Sequence, residues 1–72
     1  MSEAVEQYER AVLIEPGLAE AHYNLGAALM QAGRASEAAE QFEEVLQIHP
    51  NDAEALNNLA RAQALPQSSP AR

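Results

Sequence analysis

Seventy-two residues carrying eleven carboxylates, four arginines, no lysine and a formal charge of -7 make a small acidic chain, one domain at most, whose core is thin because a globule of this size buries only ~60% of its unfolded surface. With no cysteine it has neither a disulfide framework nor a thiolate metal site to reinforce that core. The charge repels phosphate backbones and anionic headgroups, and no apolar run approaches the ~20 residues of a membrane span, so neither nucleic acid nor membrane is an expected partner.

A first helix is predicted over 2–15. Ser2 stands as its cap, with Glu3 and Glu6 near the positive end of the helix dipole. Ala4, Val5, Tyr8, Ala11, Val12 and Ile14 recur at spacings of three and four, an apolar stripe set away from Glu3, Glu6, Glu9 and Arg10. Pro16-Gly17 stops this helix. A second helix follows over 19–31, with Gly17 and Glu20 at the spacing of a capping box. Its stripe is Ala21, His22, Leu25, Gly26, Ala28, Leu29 and Ala32. Glycine inside a helix costs ~1 kcal/mol relative to alanine, so Gly26 is read as a packing residue, whereas Gly33 ends the helix.

The third helix is predicted over 36–48, capped by Ser36 with Glu37 in its first turn. It presents Ala38, Ala39, Phe42, Val45, Leu46 and Ile48 inward and Glu40, Glu43 and Glu44 to solvent. His49-Pro50-Asn51-Asp52 breaks it, and Asn51 is placed to cap a fourth helix over 53–64, with Glu54 completing a capping box. The inward face expected there is Ala55, Leu56, Leu59, Ala60 and Ala62. From Pro66 onward two prolines and no large apolar residue predict a disordered tail over 66–72.

The chain repeats itself. Shifted by 34 residues, Ser2, Glu3, Ala4, Glu6, Gln7 and Glu9 fall on Ser36, Glu37, Ala38, Glu40, Gln41 and Glu43. Further on, Ile14, Pro16, Asn24, Leu25 and Ala28 fall on Ile48, Pro50, Asn58, Leu59 and Ala62. Residues 19–52 are thus one full unit, preceded by half a unit over 2–15 and followed by half a unit over 53–65, a single repeat domain over 1–65. A start in mid-repeat is what a segment of a longer array shows. A two-helix period of this length, with His22, Leu25-Gly26, Leu29, Ala38, Phe42, Val45 and Pro50 at the characteristic spacings, resembles the tetratricopeptide repeat family. The departures are His22 where the family has tryptophan, Leu29 for tyrosine and Val45 for alanine. The repeats look like those of bacterial arrays and of O-linked glycosyltransferases.

That resemblance implies an all-α fold of antiparallel helical hairpins stacked into a right-handed superhelix, four helices here, with a concave groove lined by 19–31 and 53–64. Glu20, Tyr23, Asn24, Ala27 and Met30 on the second helix, with Asn57, Asn58 and Arg61 on the fourth, are the expected groove residues. Asn24 and Asn58 hold equivalent places. A primary amide both donates and accepts, so such a pair can hold the backbone of an extended peptide without reading its side chains, as the asparagine ladder of the glycosyltransferase repeats does. Tyr23, Met30 and Leu65 offer an apolar patch. Arg61 is the single cation on these faces, so a clamp for an acidic C-terminus is not expected, and the ligand should be neutral or basic.

The outer helices lack neighbours. Ala4, Tyr8 and Ala11 at one end and Leu56, Leu59 and Ala60 at the other are therefore the residues for terminal association, a head-to-tail homo-oligomer. His22 is expected as a core histidine and His49 as a loop residue, and neither has a carboxylate or cysteine at ligand spacing, so no metal is expected. Ser2 and Ser36 are explained as caps, leaving no seat for catalysis and no cofactor. The expected function is a non-catalytic interaction module for a protein or peptide, cytoplasmic by default. The alternatives are a structural or oligomerisation segment and the recognition arm of a larger enzyme such as a glycosyltransferase.

Overall fold

A computed structural model describes residues 2–64, which fold into four helices: α1 (Ser2–Ile14), α2 (Ala19–Gln31), α3 (Ala35–Ile48) and α4 (Ala53–Ala64). The expected tail over 66–72, Leu65 and the capping role of the Ser2 side chain lie outside what is described. Each helix packs on the one before it, α1 on α2, α2 on α3 and α3 on α4. The connections span residues 15–18, 32–34 and 49–52, and short connections between consecutive helices that pack on one another make successive helical hairpins. None of the described helices is long and apolar enough to cross a membrane.

Phe42 is the centre of the core. Its ring is fully buried, clustered with Val5, Leu25, Leu29, Ala38 and Ala62, and bordered by Tyr8, Val12, Tyr23, Met30 and Leu59. It can lie this deep because α2 offers it Gly26. A methyl group at residue 26 would stand 2.8 Å from both Cε1 and Cζ of the Phe42 ring, inside any real carbon contact. Gly26 is therefore the packing residue its helix-breaking character suggested. Tyr23 meets the other side of Phe42 edge-on, ring centroids 5.7 Å apart at 71°, an arrangement favoured by the ring quadrupoles.

The turns place the helix caps differently from the expectation. Pro16-Gly17 closes through the Leu18 N–H donating to the Glu15 carbonyl at 3.1 Å. Leu18, with extended backbone, is therefore the boundary residue, and no side chain caps α2. Gly17 and Glu20 form no capping box, because three residues past Leu18 stands Ala21. At the end of α2, Gly33 takes φ +79°, the left-handed conformation that costs other L residues about 1–2 kcal/mol. The Arg34 N–H reaches the Leu29 carbonyl at 2.9 Å and the Gly33 N–H that of Met30 at 3.1 Å, the paired bonds that satisfy a helix end.

This tight turn leaves Arg34 alone before α3, so Arg34 holds the cap position and Ser36 lies within the first turn rather than capping it. The Arg34 guanidinium reaches forward to both carboxylate oxygens of Glu37. That hydrogen bond holds the Glu37 carboxyl below the usual carboxylate range. The pair is exposed to solvent and contributes little to stability. In the last turn the Asp52 N–H closes on the His49 carbonyl at 3.1 Å, so the cap of α4 is Asp52, not Asn51: its Oδ1 accepts from the Ala55 N–H at 3.1 Å. Ala55 occupies the position that a reciprocal glutamate would need.

Burial also divides the predicted stripes. Ala55 and Ala62 of α4 are fully buried and Leu59 half-buried, but Leu56 is 50% exposed and Ala60 is exposed. The equivalent residues one unit earlier, His22 and Gly26, are buried because α2 packs against both α1 and α3, whereas α4 packs mainly against α3 and reaches α2 through the Asn58–Tyr23 bond. For the same reason Ile14, placed on the stripe of α1, is 76% exposed. Ala32 falls in the turn that ends α2 and is exposed.

Candidate peptide groove

Asn24 sits at the junction of two surface hollows. One, of about 430 Å³, lies between the N-terminal turns of α2 and α4 and is lined by Glu20, Tyr23, Asn24, His49, Asp52 and Glu54 with Ala19 and Val45. The other, of about 190 Å³, lies between α1 and α2 and is lined by Ala4, Tyr8, Asn24, Ala27, Ala28 and Gln31. Glu20, Tyr23, Asn24 and Ala27 of the predicted groove thus share one continuous face of α2. Met30 is half-buried against the core, as Tyr23 is, and lines neither hollow. Asn57, Asn58 and Arg61 of α4 border neither hollow, Asn57 and Arg61 being exposed.

Asn58 is half-buried, and its Nδ2 donates to the Tyr23 hydroxyl at 2.9 Å. This bond joins α2 to α4 across the face. Asn24, the equivalent residue, makes no side-chain hydrogen bond among the described residues. The larger hollow carries the carboxylates of Glu20, Asp52 and Glu54 and the imidazole of His49, so its potential is negative wherever Asp52 and the two glutamates are ionised.

His49, Asp52, Val45 and Gln31 were not expected on this face. They come from α3, from the turn after it and from the last turn of α2, places that the period of one helix face does not single out. Tyr8 and Ala4, assigned to terminal association, line the smaller hollow beside Asn24. Of the other terminal residues, Ala11 and Leu59 are half-buried, and Leu56 and Ala60 are exposed.

His22 is buried and tied at both ring nitrogens. Nε2 lies 2.6 Å from the Pro16 carbonyl, which can only accept, so Nε2 carries the hydrogen. Nδ1 lies 2.8 Å from the Gln41 amide, either end of which can serve there. The ring thus links α2 to the preceding turn and to α3 as a core histidine. Among the described residues no three His, Asp or Glu side chains converge as metal ligands.

Two family models match the chain: one described as Tetratricopeptide repeat over residues 19–52, the other described as TPR repeat over residues 1–33. The first range is the α2–α3 hairpin and the second the α1–α2 pair, the two frames of the same two-helix unit. No curated protein matches the chain.

Proposed function

Because residues 1–52 are tetratricopeptide-repeat sequence, we propose that this chain is a non-catalytic interaction module that binds an extended peptide of neutral or basic character along the face shared by α2 and α4. Repeats of this family are protein-interaction modules and typically have no catalytic role. The observation that carries the reading here is Asn24, whose amide borders both hollows and so can donate to and accept from a backbone that crosses between them. Glu20, Asp52 and Glu54 around the larger hollow favour lysine or arginine side chains over acidic ones, and salt should weaken that preference.

The test is a proton-nitrogen correlation titration with pools of blocked, sequence-randomised peptides of about ten residues, in lysine-rich, neutral and glutamate-rich versions. The expected result is movement of the Glu20, Tyr23, Asn24 and Ala27 resonances with the lysine-rich and neutral pools. Asn24→Ala should weaken binding about threefold to tenfold, the worth of one hydrogen bond, without loss of helix content. No movement on this face up to millimolar peptide rejects the proposal.

The exposure of Leu56 and Ala60 favours a second reading, in which α4 of one chain docks on α1 of another. The α2–α3 pair is the template for that joint. Tyr8 stands where Phe42 does and Ala60 where Gly26 does, so the Ala60 methyl must be accommodated under a tyrosine ring and the joint is wider than the internal one. Sedimentation velocity should then show mass rising with concentration and falling back in a Leu56→Glu variant. A monomer throughout rejects it.

A further inference from the structure

Asn24 and Asn58 are equivalent in the repeat but not in their surroundings. Asn58 donates from Nδ2 to the Tyr23 hydroxyl, and the Tyr23 ring is itself held edge-on against the buried Phe42. The ring that orients this amide is thus anchored in the core, on the phenylalanine that rests against Gly26. Oδ1 of Asn58 takes no bond among the described residues, where no buried side-chain oxygen or nitrogen lacks a partner. That oxygen is therefore open to solvent. The residue one repeat unit after Tyr23 is Asn57, and Asn24 makes no side-chain hydrogen bond among the described residues. Among the described residues one amide is fixed and the other is adaptable.

We propose that Tyr23 is a positioning residue for the groove: its hydroxyl fixes the Asn58 amide so that Oδ1 is presented to a backbone N–H of the bound peptide. The inference rests on the peptide-binding reading above and adds direction to it. An amide already immobilised loses less side-chain freedom on binding than a free one, so Asn58 contributes more to affinity than its count of hydrogen bonds suggests.

The variant that tests this is Tyr23→Phe, which removes the hydroxyl and keeps the ring on Phe42. With the lysine-rich peptide pool as probe, it should weaken binding about threefold to tenfold, as Asn58→Ala does. The double variant should be no worse than Asn58→Ala alone, since both remove the same device. A readout that needs no variant is the exchange of the Asn58 side-chain amide protons in the free protein, expected to be slower than at Asn24 and Asn57. Unchanged affinity in Tyr23→Phe, additive losses in the double variant, or equal exchange at the three asparagines would each overturn the inference while leaving the binding reading intact. If the wild-type protein binds none of the pools, the binding reading fails and takes this inference with it.

Discussion

Replacing Phe42 by alanine should leave the chain without a cooperative unfolding transition. Removing a fully buried phenylalanine costs about 3–5 kcal/mol, the transfer of the ring plus the cavity it leaves. A single core in a chain this short supplies no more than about 3–5 kcal/mol in total. Phe42 is the only phenylalanine and the chain has no tryptophan, while its neighbours Val5, Leu25, Leu29, Ala38 and Ala62 are too small to close the space. The wild-type protein should give a sigmoidal urea curve by far-UV circular dichroism, and Phe42→Ala a sloping line with reduced helix signal. A midpoint within about 0.5 M urea of wild type would show that the core is not centred on this ring. The groove should fail with it, since Tyr23 leans on Phe42.

Gly26→Ala should be destabilising even though alanine is the better helix former. Propensity favours the substitution by ~1 kcal/mol. Against this, the new Cβ would lie 2.8 Å from Cε1 and Cζ and 3.2 Å from Cδ1 of Phe42, in a ring enclosed on its other sides. Overpacking of this kind costs about 1–3 kcal/mol, and contact with three atoms of one confined ring places the case toward the upper end. The net loss should be about 1–2 kcal/mol. A double-mutant cycle separates the two effects: in a Phe42→Leu background the collision is relieved, so the same Gly26→Ala change should be neutral or stabilising. If Gly26→Ala raises the wild-type melting temperature, the close approach of α2 and α3 is not what this glycine serves.

The α2 side of the two hollows, Glu20, Tyr23, Asn24 and Ala27, was legible without coordinates. Asn24 and Asn58 stand out because they recur at the repeat distance, and Glu20, Tyr23 and Ala27 follow from the helical period around Asn24. The hollows themselves were not legible, because His49 and Asp52 enter the larger one from a turn and Tyr8 enters the smaller one from a neighbouring helix. Met30 is half-buried against the core, as Tyr23 is, and lines neither hollow, which its spacing on the helix did not distinguish.

Taken by itself, the sequence determined the repeat length, four helices with ends correct to within a residue or so, the left-handed turn at Gly33 and the packing role of Gly26. Those properties follow from periodicity and from the backbone preferences of single residues, which act over a few positions. Only the tertiary structure decided that Leu18, Arg34 and Asp52 rather than Gly17, Ser36 and Asn51 begin the helices, since that depends on which carbonyl each turn closes upon. It alone decided that Leu56 and Ala60 stay exposed while Ala55 and Ala62 are buried, because burial depends on how many helices flank α4. The bond from Asn58 to Tyr23, across 35 residues, likewise belongs to the fold: it needs the tyrosine ring where Phe42, lying against Gly26, holds it.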